Sequence, residues 1–308
     1  MALYIAIGEL FVARYGLRVL PLHLVMAAAA AYAVAVGGAL TLLARKNAPR
    51  ETLGRPLALV ALLCLLLAGI ALLHRLIDPH TVQVDRWSAI DGWGRYLLQG
   101  RFPYDAPTHL DGRGSPLPVW QLLHLPFVLL GDVGYAMSVA LMVVFAVLWR
   151  QGERQLLGGA LLLLAASPAF WYEVAVRSDL LHNMLLLALV TWYGARRYPR
   201  PTLRQAMGVA VVCGLCCCTR LVCGIPLVIL WLRWYVTARD RKMQVLAALV
   251  FLLTVLLVML PFVVWSWEGM FLSDTSPLVL QTRQGGIHYA LFAAVITAVA
   301  GWWQEPRT

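Results

Sequence analysis

Apolar runs alternate with short polar breaks along most of this 308-residue chain. The runs at 20–43, 56–77 and 243–265 are each long enough to cross a hydrocarbon core of about 30 Å as helices. Further spans are expected at 134–149, 156–172, 180–195 and 286–303. The stretch 205–236 is too long for one straight crossing and is interrupted by Thr219-Arg220 and Gly224-Ile225-Pro226, so it predicts two arms turning near Arg220. Residues 117–130 are apolar but short and carry Pro118 and Pro126, the pattern of a re-entrant or surface-lying helix. Residues 1–19 hold a shorter apolar stretch with Glu9, Arg14 and Arg18, which predicts an interfacial segment. The expected architecture is all-α: one integral membrane domain over 1–308 that crosses the bilayer about nine times.

Two polar stretches stand out, 78–120 and 266–285. Within the first, Trp87, Ile90, Gly94, Leu97 and Leu98 recur at spacings of three and four, which predicts an amphipathic helix from Asp85 to Gln99 ending at Gly100. Its apolar side is expected to lie down on the outer leaflet.

Composition supports the membrane. Hydrophobic residues make up 61% of the chain and charged ones 13%, too few charges for the surface of a soluble protein of this size. The net charge of +10 comes from short clusters between apolar runs rather than a basic face, which argues against nucleic acid as a partner. Clusters such as Arg45, Lys46, Arg50 and Arg55 place alternate breaks inside the cell, the N-terminus outside and the C-terminus inside. On that topology the acids gather outside, among them Asp78, Asp85, Asp91, Asp105, Asp111, Glu173 and Asp179. The six cysteines all sit in apolar segments and imply no disulfide framework; the run from Cys213 to Cys223 reads as close helix packing.

The external stretch has an Asp, a Gly fifteen residues later and then Pro-Tyr, as in DRWSAIDGWGRYLLQGRFPYD, followed by SPLPVW and LPFVLLG. It resembles the first extracytoplasmic loop of the GT-C superfamily of integral membrane glycosyltransferases, most closely the bacterial mannosyl- and arabinofuranosyltransferase-like branch. SPAFWYEVAVRSDLL is similar to that superfamily's second loop. The chain is shorter than many members and has an extra span before the loop, features that a minimal, truncated or inactive member would share.

The resemblance implies hexosyl or pentosyl transfer from a polyprenyl-phosphate sugar donor to a glycan or lipid acceptor, outside the cytoplasm, with the lipid bilayer as surroundings. No organic cofactor is implied, and a divalent metal is admitted but not required. By position Asp85 corresponds to the general base, with Asp91 the second catalytic candidate. The expected substrate contacts are Arg86, Tyr104, Arg113, Arg177, Asp179, Arg220, Arg283 and His288.

The residues support the same chemistry independently. A carboxylate can take the proton of an attacking hydroxyl, a single base suits direct displacement with inversion, and guanidinium groups suit a departing phosphate. Structural roles compete at each position. Asp85 suits a helix N-cap, as does Asp179, and Asp91 lies four residues from Arg95, a spacing for an ion pair. Arg177, Arg220 and Arg283 are placed to snorkel. His109, His124 and His288 lack metal-ligand spacing. Trp267, Ser276 and Gln281 are placed to touch a sugar. A transporter of lipid-linked sugar and a non-catalytic assembly subunit are the rival functions.

Overall fold

The computed structural model describes residues 2–18, 20–44, 54–198, 201–237 and 240–283, with 295 and 299. Among them the chain is all-α, with thirteen α-helices and no strand. They are α1 (Ala2–Gly16), α2 (Leu22–Ala44), α3 (Pro56–Leu76), α4 (Arg86–Leu98), α5 (Pro118–Leu129), α6 (Tyr135–Arg150), α7 (Arg154–Ala165), α8 (Pro168–Ala175), α9 (Leu180–Arg197), α10 (Leu203–Cys217), α11 (Gly224–Thr237), α12 (Arg241–Trp265) and α13 (Pro277–Thr282).

Three of them, α2, α3 and α12, are long and apolar enough to cross a membrane; α7 and α8, bent by 69° at Ser167-Pro168, make a fourth if counted as one span. Nine crossings are therefore not what the helices support. α6 has 16 residues and α10 has 15, and at about 1.5 Å per residue both fall short of the hydrocarbon thickness. The expected span 286–303 falls almost entirely outside the described residues, as do Arg45, Lys46 and Arg50. The turn near Arg220 is observed: α10 ends at Cys217, a 3-10 turn follows at Leu221–Cys223, and α11 starts at Gly224.

The chain divides into two compact units, 1–82 with 137–181, and 83–136 with 182–308. In the first, α1 packs on α2 and α8, and α3 packs on α7 and α8. α3 meets α8 so closely at Gly69 that a Cβ there would lie 2.7 Å from the Trp171 ring. α8 starts where Pro168 supplies no N–H, Ser167 Oγ accepts the Phe170 N–H at 3.2 Å, and Trp171 Nε1 donates to the Ala165 carbonyl at 2.8 Å.

In the second unit α10 lies along α12. Ala206, Ala210 and Gly214, four residues apart, form the buried stripe that lets the backbones approach. Nearby, Cys213, Cys216 and Cys217 pack around Leu187, Cys223 and Leu227, and all six thiols are free.

α4 ends as expected, with Gly100 at φ +68° just beyond it, a conformation that a Cβ would strain. Most of its apolar side is covered by protein, while Leu98 stays exposed. Trp87 and Ile90 pack with Trp120, Val128 and Val133, and Trp93 packs with Tyr104, Phe262 and Met270. α5 is built the other way round, burying Gln121 and His124 while Leu122, Leu123 and Leu129 stay exposed. An apolar exterior over a polar interior is stable where the surroundings are themselves apolar.

Candidate functional site

Asp85 opens α4 and is half-buried. Its carbonyl accepts the Ala89 N–H at 2.9 Å, but its side chain makes no cap bond. The carboxylate turns to the loop, where Thr108 Oγ donates to Oδ2 at 2.9 Å. The buried Thr108 is the pivot of that loop: its hydroxyl also accepts the Gly112 N–H at 2.8 Å, and its own N–H donates to the Gly112 carbonyl at 3.0 Å. Gly112 lies so close to Asp85 that a Cβ would stand 2.7 Å from Oδ2. Ser88, one turn into α4, fixes the same loop: its hydroxyl donates to the Asp85 carbonyl at 2.9 Å and lies 2.8 Å from His109 Nδ1.

The other candidates divide between the units. Asp91 forms an ion pair with Arg95 at 2.6 Å, on the exposed side of α4, and the carboxylate raises the guanidinium's pKa by hydrogen bonding first and charge second. Arg86 is exposed beside Asp85, and Arg113 is half-buried, its guanidinium donating to the Gly112 carbonyl at 3.2 Å. Tyr104 is buried; its hydroxyl donates to the Pro116 carbonyl at 3.1 Å, and loss of solvent pushes its phenol well above the usual range.

Arg177 and Asp179 belong to the first unit. Arg177 sits at φ +47° and donates to the His74 carbonyl at 2.9 Å in the last turn of α3, where the helix dipole favours a cation. Asp179 is buried, and the first N–H of α9 meets Ser178 Oγ at 3.4 Å. His288 lies outside the described residues.

In the second unit three backbone segments converge. The Leu117 N–H donates to the Thr219 carbonyl at 2.9 Å and the Val119 N–H to the Cys218 carbonyl at 3.1 Å, joining the start of α5 to the end of α10. Gln281, on α13, completes the junction: Oε1 accepts the Leu221 N–H at 2.8 Å and Nε2 donates to the Ser115 carbonyl at 2.6 Å. Arg220 precedes Leu221, and Arg283 follows α13 by one residue. These two candidate cations thus stand on segments tied together by one amide.

Below the junction runs an apolar cavity of about 790 Å³. Leu117, Leu221 and Leu278 close its loop end, and α12 supplies its length through Leu249, Leu252, Leu256 and Met259. Leu249, Leu252, Leu256 and the lining Trp267 are all more than two-fifths exposed, so the cavity opens on the apolar flank of α12.

Sequence reasoning missed a buried polar layer between α5 and α9. His124 and His182 face each other at 2.9 Å between Nε2 atoms, and His124 Nδ1 lies 2.8 Å from the Trp120 carbonyl. The carbonyl requires a proton on Nδ1, so in the neutral pair His182 Nε2 donates to His124 Nε2. Gln121 is 1% exposed, and among the described residues neither of its amide atoms has a hydrogen-bond partner. The available signal was polar residues at i and i+3 in a run too short and proline-marked to be an ordinary span. Among the described residues no group of three His, Cys, Asp or Glu side chains stands close enough to hold a metal.

No family model, no curated protein and no solved structure matches this chain.

Proposed function

We propose that this chain is a GT-C-like glycosyltransferase of a bacterial plasma membrane. It moves a hexosyl or pentosyl unit from a polyprenyl-phosphate donor to a glycan or lipid acceptor on the outer face. The supporting observation is the apolar cavity along α12, which ends at the junction flanked by Arg220 and Arg283. A prenyl chain fits an apolar cavity of this kind, and Arg220, one residue before the lining Leu221, carries the guanidinium chemistry that suits a phosphate.

The acceptor hydroxyl attacks the anomeric carbon and gives its proton to the Asp85 carboxylate. The anomeric carbon–oxygen bond breaks, and prenyl phosphate leaves with the bonding pair. Thr108 holds one carboxylate oxygen in a fixed direction, which a base acting within hydrogen-bond reach needs.

The test is transfer from radiolabelled polyprenyl-phosphomannose and polyprenyl-phosphoarabinofuranose in membranes holding the full chain. Label in an acceptor, lost in Arg220→Ala with Arg283→Ala, supports the reading; no labelled product from either donor overturns it. The buried His124–His182 pair favours one rival, a transporter, because ionisable groups inside a membrane protein commonly serve a translocation path. Movement of unmodified donor across vesicles, without product, would establish that rival.

A further inference from the structure

Among the described residues of the second unit, Gln121 has both ends of its side chain buried without a hydrogen-bond partner. A carboxamide offers two N–H donors and a carbonyl with two lone pairs, and this one is 1% exposed with neither end partnered. Leaving such a group unsatisfied is costly, so a partner beyond the described residues completes it. The loop lies directly against it: a Cβ on Gly114 would lie 3.3 Å from Gln121 Nε2 and 3.3 Å from the Ala89 carbonyl. Gly114 belongs to the same loop as Thr108 and Gly112, which hold the Asp85 carboxylate.

We propose that Gln121 is the reading group of a sugar subsite beneath that loop, pairing with hydroxyls of the donor's glycosyl unit; this rests on the transferase reading. A ring hydroxyl both donates and accepts, as the amide does. The sugar is uncharged. Gln121 is neutral, the Ser88 and Thr108 hydroxyls are neutral, and the Asp85 carboxylate beside the loop repels a uronate. The open amide also sets specificity, because a donor lacking the matching hydroxyl leaves it unpaired in the bound complex.

The full-length protein is compared with Gln121→Leu, Gln121→Asn and Gly114→Ala, using polyprenyl-phosphomannose and its single-deoxy analogues. Gln121→Leu should unfold no lower in temperature than the parent, since it removes an unsatisfied group. It should lose roughly 10²–10⁴-fold in kcat/KM, and it should no longer discriminate against the one deoxy analogue that the parent rejects.

If Gln121→Leu keeps the parent's kcat/KM and its discrimination, the amide is merely hydrated and the inference falls. If Gln121→Leu does not fold, the same two readouts on Gln121→Asn and Gly114→Ala decide. Donor-induced protection against heat separates this from the wider reading. A parent that transfers nothing but is protected, with protection lost in the Gln121 variants, keeps the subsite and removes the transferase. A parent that no donor protects removes both.

Discussion

Gln281 and Ser115 lie 166 positions apart in the chain, yet Gln281 Nε2 donates to the Ser115 carbonyl at 2.6 Å, while the other end of the amide accepts the Leu221 N–H at 2.8 Å. One side chain therefore fixes the end of the first polar stretch, the turn after Arg220 and the helix of the second polar stretch. At about 1 kcal/mol net for each bond, Gln281→Ala should cost about 2 kcal/mol, read as a lower unfolding temperature in detergent. Gln281→Glu keeps the acceptor for Leu221 and sets a carboxylate against the Ser115 carbonyl, so it should recover none of that loss. An unchanged melting temperature in both variants would show that the junction is held elsewhere.

The two histidines give a test of the buried polar layer. With His124 Nδ1–H donating to Trp120, His182 Nε2–H points at His124 Nε2. Replacing one ring strands the other, at a cost of about 1–3 kcal/mol, whereas replacing both with phenylalanine removes donor and acceptor together. His124→Phe with His182→Phe should thus be less destabilised than the sum of the single variants. Strict additivity in thermal unfolding would mean that the pair is not a unit.

Two glycines in helices should respond oppositely to alanine. At Gly214 a Cβ would stand 2.9 Å from the Thr254 Cβ and 3.2 Å from the Phe251 carbonyl, so Gly214→Ala pushes α10 off α12 and should cost about 1–3 kcal/mol. At Gly38, inside α2, nothing lies within 4 Å, and alanine there should stabilise by up to about 1 kcal/mol through helix propensity. Equal effects at the two positions would argue against the close approach of α10 and α12.

The positions of most of these helices were legible in the sequence because hydropathy and its breaks are local; α13 lies in a stretch read only as a polar loop. Pro56, Pro118 and Gly100 mark starts and stops where they stand, and the turn at Arg220 followed from the length of the run around it, whereas the break before Pro168 cuts a stretch read as one span over 156–172. The crossing number was not legible, since apolar character does not distinguish a 25-residue helix such as α12 from the 15 residues of α10 joined to a turn. The orientation of α4 was misjudged for a related reason. Trp87, Ile90 and Trp93 define an apolar side, but whether it meets lipid or protein depends on α5 and Phe262, remote in sequence. For the candidate site, the sequence marked Asp85, and its partner Thr108, 23 residues on, emerged only with the folded loop. Gln121 left only a weak mark in the chain, its spacing of three from His124, because an amide in an apolar helix signals burial only once its neighbours are placed.

Tyr104 links the loop to pH. Burial pushes its phenol well above the ordinary value, so above about pH 10 the unfolded chain loses this proton while the folded one keeps it. The folded state then binds more protons, and stability falls as pH rises through that window. Tyr104→Phe removes the contribution, so the parent should lose stability relative to this variant from about pH 10 upward. Parallel curves for the two proteins would show that the phenol ionises freely in the folded state.

Asp85 and Thr108 can be separated by substitutions that keep shape. Asp85→Asn retains an oxygen for the Thr108 hydroxyl but removes the charge that accepts a proton, so transfer should fall by about 10²–10⁴-fold with expression and melting temperature close to the parent's. Thr108→Val does the reverse: it leaves the carboxylate charged but takes away its hydrogen bond and the acceptor for the Gly112 N–H. It should cost about 1–3 kcal/mol of stability and lower transfer less than Asp85→Asn does. Measured together in one membrane preparation, a larger kinetic loss in Asp85→Asn and a larger thermal loss in Thr108→Val assign chemistry to the first residue and architecture to the second. If Asp85→Asn transfers sugar at the parent's rate, the proton goes elsewhere, and Asp85 serves only to anchor Thr108.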